Sequence, residues 1–497
     1  MGEGIVAAAF IQAFQNLLDP GLLFFMFLGI FIGLAVGLLP AIGGLVPMAM
    51  VLPYMFLLKP LQGLPLIITI SAVGYQGGSM TAILLNIPGT EPNAATLIDG
   101  FPMTRKGEAA RAIGAALVSS TLGGFLAVIL ALVMVPILLH IVMMITSAEM
   151  VFVVLLGISF ISVLAERSMI KGLISGMLGL LISLIGYQAV TGIPRFTFGT
   201  MFLYDGLGLV PVIVGLFAVP EAIVLASTGT TIAQVETKLA GMQQVLQGVK
   251  DVFRHWWLFL RSMLIGYVVG IIPGIGGAVA PFVSYGHAKT SSKNPEKFGT
   301  GCVEGVIAPE SANNAVLGGS LLTTLAIGLP GSAGMAILLG AFVLQGLVPG
   351  PRMLTDHLDL SLTLLLVGAL TNIIAGGICF GIIPHISKIA RVPARILFPL
   401  ILVIALTGTF FYRQEIGDVV IAVGFSLVGL ILRNFGYSRP ALLLGFVLGT
   451  LFEKYLFISL GVGGPLFFFR PISMALIVII ISVIWVGILQ GRRAKKA

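Results

Sequence analysis

Long apolar runs follow one another along this chain with few polar residues between them. Gly21 to Leu39, Ala115 to Leu139, Leu362 to Ile383 and Pro471 to Gln490 are each long enough to cross a hydrocarbon core of about 30 Å. By that criterion the pattern predicts roughly twelve to fourteen membrane segments. The runs are continuous, not alternating, which selects helices over a barrel, since backbone in lipid must satisfy its own hydrogen bonds. Ahead of the first run, Phe10, Ile11, Phe14 and Leu17 recur at helical spacing and predict an interfacial helix over residues 1–19. The same stretch lacks a basic region and a small-residue cleavage site, so no removable signal peptide is expected.

The runs are interrupted twice in the same way. Gly37-Leu-Leu-Pro40-Ala-Ile-Gly43-Gly44 recurs as Gly270-Ile-Ile-Pro273-Gly-Ile-Gly276-Gly277. Downstream, Gly77-Gly78-Ser79 followed by Asn86-Ile-Pro88-Gly89-Thr90 is echoed by Gly318-Gly319-Ser320 followed by Gly328-Leu-Pro330-Gly331-Ser332. Two matches in the same order predict an internal duplication. Basic residues, which mark the cytoplasmic side, then alternate between the halves. Between its two motifs the first half has only Lys59, where the second has Lys289, Lys293 and Lys297; after them the first has Arg105, Lys106 and Arg111, where the second has only Arg352. Equivalent loops on opposite faces are the mark of inverted-topology repeats, whose substrate lies near the midplane where broken helices meet. The expected fold is therefore an all-α polytopic membrane protein with broken or re-entrant helices in two inverted repeats. Residues 20–145 form the first repeat core, 146–257 connecting spans and a cytoplasmic loop, 258–384 the second repeat core, and 385–497 the C-terminal spans. The extramembrane candidates are Thr228 to Trp257 and Tyr285 to Phe298.

Composition agrees, with 58% hydrophobic and 9% charged residues against about 25% charged in soluble domains. The net charge of +8 reads as positive-inside topology, and Arg492, Arg493, Lys495 and Lys496 make the tail cytoplasmic. Cys302 and Cys379 form no motif. The chain has no Gly-Lys-Ser/Thr phosphate loop, no H-E-x-x-H pair and no G-x-S-x-G elbow, so ATP hydrolysis, zinc proteolysis and serine-nucleophile chemistry are not expected. It is read as no enzyme, with no cofactor.

The candidate substrate site is the pair of P-G-[TS] turns. Pro88 and Gly89 break a helix, and Thr90 or Asn93 can cap a new one near Ala94. Pro330 and Gly331 break its sister, with Ser332 as cap for a helix through Met335 and Leu338. Each new N-terminus offers free N–H groups and partial positive charge, enough for two together to hold a carboxylate. Asn86, Pro88, Gly89, Thr90, Asn93, Gly328, Pro330, Gly331 and Ser332 are therefore the substrate candidates; ordinary membrane-helix kinks are the alternative. The pairs Gly43-Gly44 and Gly276-Gly277 could give carbonyls to a small cation or simply allow close packing. Glu310, Asn313 and Asn314 offer oxygen on one helical face, with Ser311 beside them, as a cation or proton site, or Glu310 complements a helix dipole behind Pro309. Na⁺ is the coupling ion considered there, with no transition metal. Asp99 is expected to begin a cytoplasmic turn, and Arg195 to anchor at an interface.

These stretches, Gly37 to Pro53, Tyr75 to Arg111, Arg195 to Glu221, Gly270 to Tyr285 and FGTGCVEGVIAPESANNAVLGGSLLTTLAIGLPGSAGMAILLGA from Phe298, resemble the large membrane subunit of tripartite tricarboxylate transporters. The resemblance implies a small membrane subunit and a periplasmic solute-binding protein as partners, uptake driven by Na⁺ or H⁺ in the bacterial inner membrane, and substrates such as citrate or related organic acids. An anion channel or a carrier without a binding protein is the alternative. Two positions depart from the family pattern: Ala41, where Gly is frequent, and Glu91, which would repel a carboxylate unless protonated or paired with a cation.

Overall fold

The computed structural model describes residues 3–39, 44–163, 169–188, 191–228, 241–273, 276–383 and 394–494. Gly43, Ala41 and the tail lysines Lys495 and Lys496 lie outside them. The regular structure of the described residues is helical apart from one two-residue ribbon, Gly186–Tyr187 paired antiparallel with Pro194–Arg195. Among the described residues six helices are long and apolar enough to span a membrane, alongside shorter apolar helices such as Trp256–Ile271 and Ala333–Leu344.

The first half begins with α1 (Glu3–Asn16) and α2 (Pro20–Gly37), the latter started by Pro20 and by Asp19 accepting from Leu22 N at 2.8 Å. After the glycine-rich break come α3 (Leu45–Val51), α4 (Pro60–Leu85), α5 (Ala94–Arg105) and α6 (Ala109–Val142). Connecting spans follow: α7 (Ser147–Val163), α8 (Met169–Ser183), α9 (Leu209–Ile213) and α10 (Val219–Thr228), the last two joined by a π-helical turn. The second half repeats the sequence of elements as α11 (Met242–Arg254), α12 (Trp256–Ile271), α13 (Gly276–Ser291), α14 (Glu304–Ile327), α15 (Ala333–Leu344), the one-turn α16 (Pro351–Thr355) and α17 (Leu358–Ile382). Four further helices close the chain, α18 (Ala394–Arg413), α19 (Ile416–Asn434), α20 (Arg439–Gly463) and α21 (Pro471–Ala494). Tyr285 lies inside α13, so the segment expected from Tyr285 to Phe298 is a helix end as far as Ser291.

In both halves the first long helix lies along the third through glycines. A Cβ on Gly29 would stand 2.9 Å from Leu66 O, on Gly33 3.0 Å from Val73 Cβ, and on Gly37 2.9 Å from Gly74 O. The rising order makes α2 and α4 parallel. Gly266 and Gly270 meet Ala312 and Val316 in the same order, so α12 and α14 are parallel as well. Without a hydrophobic drive in lipid, close backbone approach supplies the packing energy. Between halves the order reverses: Ala72 O accepts from Asn314 Nδ2 (3.4 Å), while Ser79 Oγ donates to Glu310 Oε2 (2.6 Å). The two halves also exchange contacts, α3 lying on α15 and α13 on α5, with α6 against α14 and α17 against α4. The outlying group α7, α8, α20 and α21 packs mainly on itself.

Arg195 is paired inside the protein. Its guanidinium forks onto Glu453 of α20 at 2.7 and 2.8 Å, which fixes the ribbon to that helix. Glu221 is held between Arg433 (2.7 Å) and Arg439 (2.9 Å).

Candidate functional site

Beyond α4 the chain doubles back. Asn86, exposed and with φ of 57°, ends the helix in the left-handed conformation, and the next residues return alongside it until Gly89 N donates to Gly78 O at 3.4 Å. Glycine is required at 89 by proximity: a Cβ would lie 2.9 Å from both Gly37 O and Thr81 Oγ1. Thr90 N then donates to Asn93 Oδ1 at 3.2 Å and Asn93 N to Thr90 O at 3.1 Å, a reciprocal cap ahead of α5. Asn93 Nδ2 continues outward to Ser79 Oγ (2.9 Å) and Tyr75 O (3.1 Å).

That chain of bonds ends on the other half. Ser79 and Thr96 both donate to the carboxylate of Glu310 on α14, a side chain with no exposure at all. A buried carboxylate is tolerated when charge-assisted hydrogen bonds replace water. Asn313 lies beside it, yet neither of its amide atoms makes a well-aligned bond. Ser311 turns back onto its own helix at Ile307 O (2.6 Å), and Asn314 bonds Asn372 of α17 at 2.8 Å. The four oxygen-bearing residues predicted as one set thus face three surroundings.

The second turn follows the same plan with different filling. Gly328, with φ of 78°, ends α14, and Gly331 presses against Gly270 O and the Ser320 backbone as Gly89 does against Gly37 and Gly78. Ser332 accepts from Met335 N at 3.4 Å as N-cap of α15. Where the first turn carries Asn93 and Thr96, the second carries Met335 and Leu338, both fully buried.

The turns approach each other around Tyr75, whose hydroxyl lies near Ser71 and Ser332 without a direct hydrogen bond to either, with Glu91 also in its neighbourhood. A Cβ on Gly277 would lie 3.4 Å from that hydroxyl and 3.3 Å from Pro92 Cγ; one on Gly44 would lie 3.5 Å from Thr90 Cγ2. Gly44 and Gly277 therefore line the same meeting point, and Gly276 opens α13. Pro88 and Pro330 sit in the turns themselves.

Asp99 departs from expectation. It lies within α5, fully buried, and accepts from Gly299 N (3.0 Å), Gly301 N (2.7 Å), Cys302 N (3.0 Å) and Tyr285 Oη (2.8 Å). The loop wraps it because Gly299 and Gly301 take φ of 88° and 96°, turning successive N–H groups inward. Gln345, at the end of α15, does the neutral counterpart, donating to Met55 O and to Leu58 O at 3.0 Å. Each short helix thus ties down the loop leading into the other half's long helix. Sequence reasoning missed Tyr75, Ser79, Thr96 and Asp99. The serine after both glycine pairs, and the spacing of three between Asn93 and Thr96, were the signals available.

Residues 23–444 match the family described as tripartite tricarboxylate transporter TctA. An Agrobacterium vitis relative, an uncharacterized 52.8 kDa protein in the TAR-I ttuC' 3' region, is 33% identical over 490 residues, 97% of this chain and 96% of its own length. Another from that organism, an uncharacterized protein in the TAR-II ttuC' 3' region, is 34% identical over 235 residues, 46% of this chain and 97% of its own. No solved structure matches. With paired helix breaks buried among membrane-crossing helices and a family match over most of its length, the chain is a multi-pass membrane protein that belongs to the tripartite tricarboxylate transporter TctA family.

Proposed function

We propose that this chain is the carrier subunit of a secondary uptake system for an organic carboxylate, a tricarboxylate such as citrate or a related acid. The substrate is delivered by a periplasmic binding protein, with a small membrane subunit as second partner, across the bacterial inner membrane. A Na⁺ or H⁺ gradient drives it, with no ATP. The observation that carries this reading is the meeting of the two P-G-[TS] turns at Tyr75. It brings the capped starts of α5 and α15 to one place, where N–H groups and hydroxyls can hold a carboxylate. Among the described residues, no lysine or arginine is buried, so those donors would have to serve.

The repeats are inverted in this proposal. The parallel pairs within each half, and the opposite order of contacts between α4 and α14, support that arrangement. Residues 20–145 and 258–384 form the moving core, and the self-packed outer helices serve as scaffold. Glu310, with Asn313, Asn314 and the glycine pairs, is the coupling region.

Counterflow in proteoliposomes holding both membrane subunits, with labelled carboxylates loaded on the binding protein, tests the proposal. Saturable uptake that needs the binding protein and collapses with the ion gradient is expected. Flux that neither saturates nor needs that protein would mean a channel, and uptake unchanged when choline replaces Na⁺ would leave only protons.

A further inference from the structure

Away from the turns, three amide side chains meet where α4, α14 and α17 cross. Asn372 Nδ2 donates to Gly368 O at 2.8 Å, so its Oδ1 faces Asn314 and accepts from Asn314 Nδ2, also at 2.8 Å. The same Asn314 nitrogen reaches Ala72 O at 3.4 Å, so reversing that amide would set oxygen against two oxygens. Gln76 Nε2 is directed at Asn372 O (3.4 Å) and Thr121 Oγ1 (3.5 Å), and a carbonyl accepts only, which fixes Gln76 too. Gly124 of α6 backs the group so closely that a Cβ there would stand 2.6 Å from Asn372 Cγ. With all three amides locked, Gln76 Oε1 and Asn314 Oδ1 are left without a donor, on residues that are 0% exposed.

A buried oxygen without a donor costs about 1–3 kcal/mol, and two from one locked set call for a positive ligand. Glu310, one turn before Asn314, spends its oxygens on Ser79 and Thr96, so the set itself is uncharged. Divalent ions recruit carboxylates, whereas neutral carbonyl oxygens suit a monovalent one. The geometry points to a monovalent-cation site formed by Gln76 and Asn314, with Asn372 as the positioning residue that orients both. The site deepens the symport reading and rests on it only for the ion's role in transport. Gln76 follows Tyr75 on α4, so an ion held here would lie one residue along from the place where the two turns approach.

The test is binding of radioactive Na⁺ to the purified full chain in detergent, without carboxylate or binding protein, with unlabelled Na⁺, K⁺ and choline as competitors. Saturable binding displaced by Na⁺ and not by choline is expected. Gln76→Leu and Asn314→Leu should weaken it at least about tenfold, and Gln76→Glu, which keeps one oxygen at the site but exchanges the Nε2 donor for a charged oxygen, should change the affinity. Should the leucine variants fail to fold, Gln76→Glu decides: unaltered affinity overturns the site, as does absence of saturable binding in the wild type, where the amides would then hold water alone. Intact Na⁺ binding with no carboxylate uptake would count against the transport proposal and leave the site standing.

Discussion

After the first P-G-T turn come Glu91, Asn93 and Thr96; after the second P-G-S turn the equivalent positions are Ala333, Met335 and Leu338. Both turns use the same left-handed helix end, the same glycine pressed on a helix terminus and a hydroxyl residue at the start of the new helix. Only the first is wired by polar side chains, through Asn93 and Ser79, to a carboxylate in the opposite half. Backbone geometry is therefore shared where it presents N–H groups, and side chains differ where the halves take different duties. The polar turn is the one bonded through to a buried acid, while the apolar turn is set by packing.

Substituting Glu310 by Ala should break this contrast most strongly. It strands the hydroxyls of Ser79 and Thr96, for a loss of about 2–5 kcal/mol, read by thermal unfolding in detergent, and uptake should vanish. Ser320→Ala, at the position matching Ser79, removes a bond only to its own helix at Leu317 O and should cost less than about 1 kcal/mol. Equal losses would mean that the halves are wired alike.

Next in size are the two loop ties. Asp99→Asn leaves the inward N–H groups of residues 299–302 without a charged acceptor and should cost about 2–3 kcal/mol. Gln345→Ala removes neutral bonds and should cost about 1 kcal/mol. Amide exchange at Gly301 and Cys302 should rise in the first variant alone.

Loss of either cap hydroxyl, Thr90→Ala or Ser332→Ala, should cost about 1 kcal/mol and reduce uptake further than that destabilisation accounts for. Uptake falling only in step with folded protein, measured by ligand-free thermal stability, would reduce both turns to kinks.

The smallest effect is at the edge of the second half. His255, at the junction of α11 and α12, is raised above its ordinary 6.5 by Glu304, whose Oε1 lies 3.4 Å from Nε2. A raised folded value stabilises below the unfolded one, so this contribution is complete below about pH 6.5 and is lost as pH climbs through the folded value. Both side chains are partly exposed, so less than about 1 kcal/mol is at stake. Melting curves across that range should lose this step in His255→Ala.

The all-helical fold and both breaks were legible in the sequence because they rest on local facts: run length, the missing Pro donor, the hydroxyl that follows. Ser332 capping α15 and the start of α5 at Ala94 follow from the same local rules. What could not be read is what depends on distant partners. Ser79 and Glu310 are separated by 231 residues and Tyr285 and Asp99 by 186. Asp99 followed by Gly100 has the composition of a turn, and only the loop folded over it makes a helix interior acceptable for that carboxylate. The oxygen-bearing residues of α14 meet different partners because helical spacing states which residues are near each other and not which neighbours they meet.

The bond from Ser79 to Glu310 also imposes a chronology on the making of the protein. At about 5–20 residues per second, those 231 residues take roughly 10–50 s to emerge. For that interval α4 and α5 stand in or near the bilayer with Ser79, Asn93 and Thr96 complete and their acceptor not yet made. The first half must wait for the second before it can close, so the nascent chain passes through a stage in which its own polar wiring is a liability, open to the insertion machinery or to membrane proteases.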